Sequence, residues 1–427
     1  MATGDFSIQY GTLGKYTGTD TEITIPEDVK IISPQVFKNN QTITSVIISE
    51  GVTTIGGYAF AGCSELKSIT LPKSLQKISM YAFSGCTNLE SITIPDSVTI
   101  IETEAFSCCD KLENIVLSEN ITKISKKCFM SCTALKSVVI PEGVTKIEEY
   151  AFFSCQKLET ITFPSTLEQI DQSAFYSCFK LKNITLPSTL KEIGQNAFRN
   201  CNALKKVVIP ENVTVISAYA FANCKGLTSV TIPKSVQKIE TQAFCICEKL
   251  KKVSIPKNTE IENHAFLGCN ALADEDGFII INNVLFGYIG ESTNVVIPDG
   301  VTAISGYVFS ESELKSIVIP EGITKINEKA FEFCKQLTKV TIPKSVKVIE
   351  KDAFSGCSKL TSIVIPEGVT ELDEAFRATK KLKKIYLPES LTTIATYAVL
   401  DITTIYAPAG SYAEQYAKKN NLPFIAV

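Results

Sequence analysis

A phenylalanine recurs at a fixed interval along most of this chain, and this period limits the possible folds more than any other feature. Nine of these residues are separated from one another by 23 positions: Phe60, Phe83, Phe106, Phe129, Phe152, Phe175, Phe198, Phe221 and Phe244. Phe37 extends the series upstream, Phe266, Phe331 and Phe376 follow steps of 22 residues, Phe354 keeps the step of 23, and Val399 takes the last place. Such a period is typical of a solenoid, whose coils pack only on their neighbours around one continuous core. The length of 427 residues therefore does not predict two or three separate globular domains.

Each repeat contains one clear strand signal that a proline ends. In the unit Leu66–Cys86 (L-K-S-I-T-L-P-K-S-L-Q-K-I-S-M-Y-A-F-S-G-C), Ile69 and Leu71 alternate with polar residues, which is typical of a half-buried strand. Pro72 ends the strand because proline has no N–H for a ladder. The same proline recurs at Pro95, Pro141, Pro164, Pro187, Pro210, Pro233, Pro256, Pro298, Pro320, Pro343, Pro366 and Pro388. Stacked coils would pair these strands in a parallel sheet, at roughly 4.8 Å per coil.

These repeats resemble a known family. The units Leu89–Cys109 (L-E-S-I-T-I-P-D-S-V-T-I-I-E-T-E-A-F-S-C-C) and Leu337–Cys357 resemble the BspA-like subclass of leucine-rich repeats, and Ile405–Glu414 is similar to that family's closing segment. The resemblance implies an α/β repeat solenoid, a right-handed curved horseshoe with short parallel strands on its concave face and about 16–17 rungs of 22–23 residues. It also implies a bacterial protein that is exported, attached to the cell surface and used in adhesion to host proteins or other cells.

The repeat pattern divides the chain into five predicted segments. Residues 1–26 are expected to form an N-terminal cap with a degenerate first rung, 27–271 and 298–404 two arrays of leucine-rich repeats, 272–297 a β-hairpin insertion, and 405–427 a C-terminal cap. Ser411 is expected to cap the N terminus of a short helix in that last segment. One face of this helix would carry Tyr412, Ala413, Tyr416 and Ala417.

The insertion accounts for a long step of 43 residues between Phe266 and Phe309. Two apolar runs around Asn282-Asn283 predict a β-hairpin that projects from the solenoid. It has two interpretations. It is either a packed structural elaboration or, if its aromatic residues are exposed, a partner contact of the kind that loops often provide. The candidate contact residues are Phe278, Phe286 and Tyr288.

The outward positions of the repeated strand are the other candidate contact. One column of them comprises Thr70, Thr93, Val116, Val139, Thr162, Thr185, Val208 and Thr231. These side chains are β-branched, so one interpretation is that they are simply good strand formers. The other is a long, flat adhesive strip. The chain has no tryptophan, which argues against a sugar-binding face with stacking aromatics.

The cysteines follow the repeat rather than a disulfide framework. Of fifteen cysteines, those three residues after a repeat Phe are Cys63, Cys86, Cys109, Cys132, Cys155, Cys178, Cys201, Cys224, Cys247, Cys269, Cys334 and Cys357. They are expected to form one inward column, in which cysteine packs as a small hydrophobic residue. Parallel side chains disfavour the disulfide dihedral, and the alternative is an occasional bridge between neighbouring rungs. Cys245 and Cys247 form a C-x-C pair that lacks the further ligands of a zinc site.

No set of residues points to catalysis. The single histidine, His264, is expected to be exposed at the variable position two residues before a repeat Phe, so no nucleophile has a credible base. Glycine-rich nucleotide motifs are absent from the sequence. Asp274-Glu275-Asp276-Gly277 resembles only the start of a calcium loop. The sequence therefore predicts a protein that is not an enzyme and that needs no metal and no cofactor.

The charge distribution and the hydropathy argue against a nucleic-acid-binding protein and against a membrane-spanning one. Lys+Arg (42) and Asp+Glu (45) give a net charge of -3 and are spread without a basic block, unlike the basic face of a nucleic-acid binder. No run approaches the roughly 18 apolar residues of a membrane span, and Met1–Asp5 does not look like a signal peptide. The family resemblance favours an exported protein from which the signal has been removed, with any membrane attachment through parts outside this chain. We expect a monomer.

These observations predict a non-catalytic, cell-surface leucine-rich-repeat protein. It would bind an extracellular protein or another cell-surface ligand through its concave face, its hairpin insertion or both. The alternatives are a structural spacer in a larger surface protein and a glycan-binding module. A shared scaffold does not identify the ligand, because the surfaces of repeat proteins diverge while their cores are kept.

Overall fold

The computed structural model describes residues 5–427, which divide into two compact units. Unit 1 ends at Glu262, and unit 2 runs from Asn263 to Val427. Both are β-solenoids in which most coils contribute a three-residue strand and a two-residue strand, joined by turns. The sequence pattern predicted only the first of these strands. The second is a pair such as Lys77–Ile78, too short to show an alternation of apolar and polar residues.

The strands of unit 1 are β1 (Phe6–Gln9), β2 (Thr12–Tyr16), β3 (Glu22–Ile25), β4 (Ile31–Ile32), β5 (Ser45–Ile48), β6 (Thr54–Ile55), β7 (Ser68–Thr70), β8 (Lys77–Ile78), β9 (Ser91–Thr93), β10 (Ile100–Ile101), β11 (Asn114–Val116), β12 (Lys123–Ile124), β13 (Ser137–Val139), β14 (Lys146–Ile147), β15 (Thr160–Thr162), β16 (Gln169–Ile170), β17 (Glu192–Ile193), β18 (Lys206–Val208), β19 (Val215–Ile216), β20 (Ser229–Thr231), β21 (Lys238–Ile239), β22 (Lys252–Ser254) and β23 (Glu260–Ile261).

Unit 2 begins with a 3-10 helix, Asn270–Leu272, and contains one α-helix, α1 (Tyr412–Lys419). Its strands are β24 (Phe278–Ile281), β25 (Val284–Tyr288), β26 (Asn294–Val296), β27 (Ala303–Ile304), β28 (Ser316–Val318), β29 (Lys325–Ile326), β30 (Lys339–Thr341), β31 (Val348–Ile349), β32 (Ser362–Val364), β33 (Glu371–Leu372), β34 (Lys384–Tyr386), β35 (Thr393–Ile394), β36 (Thr404–Ala407) and β37 (Phe424–Ala426). No helix among the described residues combines the length and the apolar character needed to cross a bilayer.

The strands of successive coils pair in parallel, in two separate columns. In unit 1 the longer strands form the sheets β3-β5-β7, β9-β11-β13-β15 and β18-β20-β22, and in unit 2 β26-β28-β30 and β32-β34-β36-β37. The two-residue strands form β4-β6-β8-β10, β12-β14-β16-β17 and β19-β21-β23 in unit 1 and β27-β29-β31-β33-β35 in unit 2. The register is one coil per step, as in Ile55 opposite Ile78, so equivalent residues of neighbouring repeats lie side by side. This confirms the predicted solenoid of stacked coils.

The repeat phenylalanines form a ring stack inside each unit. In unit 1 consecutive rings from Phe37 to Phe244 are nearly parallel, with the centroids of Phe60 and Phe83, for example, 5.3 Å apart at 5°. In unit 2 the stack runs from Phe309 to Phe376, with Phe331 and Phe354 5.1 Å apart at 4°. Because each ring is buried between two others, every coil depends on its neighbours for its core.

Turns, not helices, form the part of each coil around the repeat Phe. The residues two before and two after it have positive φ, as Tyr81 (57°) and Gly85 (74°) do around Phe83. A left-handed residue ends a right-handed helix, so these segments cannot continue as helices. In the described chain α-helix is confined to α1. The Ser411 hydroxyl caps α1 by accepting from the Glu414 N–H, as predicted.

A hairpin forms the first pair of strands in each unit, and the two hairpins are copies of one another. Every residue from Phe6 to Phe37 has a counterpart 272 positions later, so that Phe6 matches Phe278 and Tyr16 matches Tyr288. Strands β1 and β2 pair antiparallel with a register shift after their second residue pair, and β24 and β25 pair with the same shift. The second strand of each hairpin then pairs in parallel with the first two-residue strand, β2 with β4 and β25 with β27.

The hairpin aromatics close the ring stack at its first member. Tyr16 lies 5.3 Å from Phe37 between ring centroids, and Tyr288 lies 5.6 Å from Phe309. The prediction that the second hairpin projects from the solenoid is therefore wrong. Leu285 is fully buried and Phe278 nearly so, because the hairpin forms the first layer of the core of unit 2.

Candidate binding surface

The outward residues of the longer strands in unit 1 form an exposed row, here called the strand row. It comprises Ile47, Thr70, Thr93, Val116, Val139, Thr162, Thr185, Val208 and Thr231, all exposed. Successive side chains of a strand point to opposite faces of the sheet, and only one face covers the core. The middle residue of a three-residue strand, such as Val138, is therefore buried, and its two neighbours face solvent. The aliphatic members are well exposed, with 57% of Val116, 67% of Val139 and 63% of Val208 accessible.

Cross-strand register sets the order of this row. Thr93 lies opposite Val116, Val139 opposite Thr162, and Val208 opposite Thr231. The hydrogen-bonded ladder of strands is interrupted at the repeat that contains Thr185. That segment makes only an isolated bridge, between Thr160 and Asn183. All eight predicted strand residues are thus found in this exposed row, which carries both methyl and hydroxyl groups.

A shallow groove of about 660 Å³ lies at one break of this surface. Strands β7 and β9 belong to different sheets, and the groove lies between them. It is lined by the hydroxyl-bearing residues Ser68, Thr70, Ser91 and Thr93, with Lys73 and Asp96 also at its wall. These groups offer hydrogen bonds and charge of both signs to an extended ligand.

The hairpin aromatics do not add to the exposed surface. Phe278 is 6% and Phe286 2% exposed, and the ring of Phe286 lies edge-on to Phe266 at 5.7 Å. Tyr288 is half-buried between Phe278 and Phe309. These three residues therefore supply core contacts, and we do not include them in the candidate surface.

The two groups considered for catalysis or metal binding, His264 and Asp274, make contacts that stabilise the fold. His264 is half-buried against Tyr307, with 4.8 Å between ring centroids, so the expectation that it is exposed is wrong. Burial lowers the pKa of its imidazole, which favours the neutral ring. The Ser305 hydroxyl accepts from the backbone N–H of His264. Asp274 uses one carboxylate oxygen to accept from the N–H groups of Asp276 and Phe278, which shapes the turn before β24.

The cysteine column has a role that the sequence did not reveal. The Cys86 thiol donates to the carbonyl oxygen of Phe60 at 3.2 Å, and the Cys155 thiol donates to that of Phe129 at 3.1 Å. Each thiol thus caps the carbonyl of the repeat Phe one coil earlier. Thr379 takes the place of the cysteine in its repeat, and its hydroxyl donates to the Phe354 carbonyl at 2.9 Å. The position therefore selects a small side chain with a hydrogen to donate.

Burial keeps these thiols protonated. It raises the pKa of Cys63 and of Cys224 to about 12. Since the thiolate is the reactive form, thiols of this kind are poor nucleophiles and poor metal ligands. No group of His, Cys, Asp and Glu among residues 5–427 is arranged to hold a metal ion.

A family model describes this repeat directly. The model of the BspA type leucine rich repeat region matches residues 15–136, 53–179, 122–248, 168–274 and 279–405. The chain belongs to the BspA-type leucine-rich-repeat family. In this BspA-type chain the matches stop at 274 and resume at 279, next to the start of the second hairpin.

Solved structures include similar chains from bacteria. A leucine-rich repeat protein from Bacteroides ovatus is 23% identical over 99% of this BspA-type chain and 97% of its own, with a TM-score of 0.42. A leucine rich cell surface protein from Faecalibacterium prausnitzii is 25% identical over 98% of this chain and 96% of its own, with a TM-score of 0.41. No curated protein matches the chain.

The thiol contact of this BspA-type repeat can be tested with an isosteric pair. We expect Cys155→Val to be less stable than Cys155→Thr by about 1–3 kcal/mol, because only threonine keeps a donor for the buried Phe129 carbonyl. Urea denaturation followed by circular dichroism measures the difference. Equal stability of the two variants would show that the column selects cysteine for its size alone.

Proposed function

We propose that this chain is a protein-binding module of a cell-surface adhesion protein and that the strand row is its contact surface. The observation that carries the proposal is the exposure of the aliphatic members of that row, Val116, Val139 and Val208, on the parallel sheets of the longer strands. Exposed apolar groups that recur along one face are typical of protein interaction sites. The family resemblance supports the surface location that this proposal includes.

The row suits a macromolecular ligand better than a small one. Its members lie on strands stacked at roughly 4.8 Å per step, which gives an extended strip instead of a deep pocket. Drug-sized ligands prefer concave sites that bury most of their surface. A folded protein or an extended polypeptide can instead contact many rungs at once, with the hydroxyls of Thr70, Thr93 and Thr162 providing hydrogen bonds between the methyl groups.

The test compares two triple variants of the full chain. Val116→Glu, Val139→Glu and Val208→Glu together place charges in the strand row. Ile31→Glu, Ile100→Glu and Val215→Glu are the control, because these residues are also exposed aliphatics, but on the two-residue strands. The probes are a panel of immobilised extracellular-matrix proteins and cultured epithelial cells.

We expect saturable binding of the unaltered chain to at least one probe, loss of that binding in the strand-row variant, and its retention in the control. A strand-row variant that binds like the unaltered chain would refute the proposed contact surface. No saturable binding to any probe would instead favour the spacer role, in which the chain holds other domains away from the cell.

A further inference from the structure

Stacking of the coils in unit 1 gathers lysines that are far apart in the sequence. The lysine patch consists of Lys180, Lys182, Lys205, Lys206, Lys251 and Lys252, all exposed. The Lys205 N–H donates to the Lys182 carbonyl, that of Thr228 to Lys205, and that of Lys251 to Thr228, so these residues form one column across four coils. Lys206 and Lys252 flank Ser229 in the ladder β18-β20-β22. The linear distribution of charge had indicated no basic block, and the structure corrects that expectation.

Four lysines of the patch, Lys205, Lys206, Lys251 and Lys252, are distinguished from the lysines of earlier coils by their lack of ion-pair partners. In earlier coils the same column contains both lysine and glutamate, and Lys136 pairs with Glu113 and Lys182 with Glu159. From Lys205 onward the two columns up to Lys252 contain lysine, threonine and serine but no carboxylate. In the described part of the chain Lys205, Lys206, Lys251 and Lys252 make no ion pair.

At one border of the patch, lysines act on the carboxylate of Glu159. The pKa of Glu159 is lowered, first by its hydrogen bond with Lys182 and then by the charges of Lys182, Lys180 and Lys136. A shallow groove of about 460 Å³ at this border is lined by Lys157, Glu159 and Lys180 among others. The net charge of the whole chain is -3, yet this part of its surface carries a cluster of positively charged side chains, which attracts anions.

We propose that the lysine patch binds a linear sulfated polysaccharide. Its two lysine pairs, Lys205-Lys206 and Lys251-Lys252, lie two strand spacings apart, roughly 10 Å, which suits a chain with regularly repeated anionic groups. Thr228 and Ser229 lie between the pairs and can form hydrogen bonds with sugar hydroxyls. A densely sulfated chain is expected to bind such a patch most tightly, because binding releases the counterions condensed on a highly charged polymer.

Other polyanions fit the same residues less well. Single-stranded nucleic acid is usually held by aromatic side chains that stack on successive bases. The described patch positions are all lysines, and Phe179, 37% exposed beside Lys180, is a single ring and not a row of them. Duplex DNA is read by a helix or ribbon that enters a groove, whereas this surface is formed by three short strands of a parallel sheet. The proposed site goes beyond the protein contact at the strand row and differs from it in chemistry, so failure of one leaves the other standing.

The decisive variant copies a rung that the chain already contains. Lys205→Thr, Lys206→Ser, Lys251→Thr and Lys252→Ser reproduce Thr228 and Ser229 in the coils on either side, so the fold is expected to be kept. The matched control removes the same charge from the two-residue strands through Lys77→Thr, Lys123→Thr, Lys146→Thr and Lys238→Thr, all of which make ion pairs. Circular dichroism and thermal unfolding verify that both variants are folded.

Binding of the full chain to immobilised heparin is measured over a range of salt concentrations, with hyaluronan and duplex DNA as competitors at equal charge. We expect the patch variant to bind heparin more weakly by about tenfold or more, with a shallower dependence on salt, and the control to stay within about twofold of the unaltered chain. If both variants lost heparin binding equally, the effect would come from net charge alone, and the proposed site would be refuted. Competition by hyaluronan or DNA as effective as that by heparin would overturn the assignment to a sulfated polysaccharide, as would no binding of the unaltered chain at low salt.

Discussion

Replacing Phe129 with alanine is expected to lower the free energy of unfolding by about 3–5 kcal/mol. The Phe129 ring is fully buried and lies between Phe106, at 5.7 Å, and Phe152, at 5.3 Å. Removing it opens a cavity in the middle of the ring stack of unit 1. Because coils are stabilised mainly by their neighbours, the loss affects the packing of two interfaces at once. Denaturant titration followed by circular dichroism measures the change.

Phe179→Ala is the matched control for this substitution. Phe179 belongs to the same unit and has the same side chain, but 37% of it is exposed and it lies outside the ring stack. We expect the control to cost less than about 1 kcal/mol, as is usual for surface sites. If both alanine variants lost the same stability, the ring stack would not be the main source of cohesion between coils.

Replacing Leu285 with alanine is expected to weaken unit 2 selectively. Leu285 is fully buried in the second hairpin and lies opposite Ile304 in the parallel pair that begins the two-residue strands of that unit. Truncating a buried leucine costs about 2–5 kcal/mol. Repeat arrays depend on a cap to cover their terminal coil, so the loss is expected to appear first in the coils that follow Ile304. Hydrogen exchange with mass spectrometry resolves this effect along the chain.

The first hairpin provides a reciprocal experiment. Leu13 is the counterpart of Leu285, is equally buried, and lies opposite Ile32. Leu13→Ala is expected to reduce amide protection in unit 1, around residues 31–101, and to leave residues 303–394 unchanged. Leu285→Ala is expected to give the opposite pattern. Uniform loss of protection along the whole chain in both variants would contradict separate capping of the two units.

The repeat made much of the fold predictable. A Phe every 22 or 23 residues and an apolar-polar alternation before each proline were sufficient to predict stacked coils, because these signals reflect burial that every coil shares. The same reasoning predicted that the cysteines face inward. It did not reveal the hydrogen bond from Cys155 to the Phe129 carbonyl, since cysteine occurs at inward positions for its size alone in many proteins.

Other features depend on which residues the stacking brings together. The second hairpin was predicted, but its aromatics were considered as exposed contacts because the pattern around Asn282-Asn283 does not say which layer the hairpin covers. The exposure of His264 was mispredicted because this position is half-buried in other coils too, as at Glu104 and Gln242, and the Tyr307 ring packs against the imidazole. Lysines one or two repeats apart look dispersed in the sequence, yet Lys182 and Lys205 lie in adjacent coils.

The two copies of the hairpin have a consequence for the engineering of such chains. Each presents the same short edge to the coil that follows, Thr12-Leu13 in one copy and Val284-Leu285 in the other. A hairpin with such an edge can serve as a transferable N-terminal cap, because the next coil needs only a matching two-residue strand to pair with it. Transplanting the cap ahead of any in-register coil would then set where a new array begins, and the number of coils after it could be chosen freely.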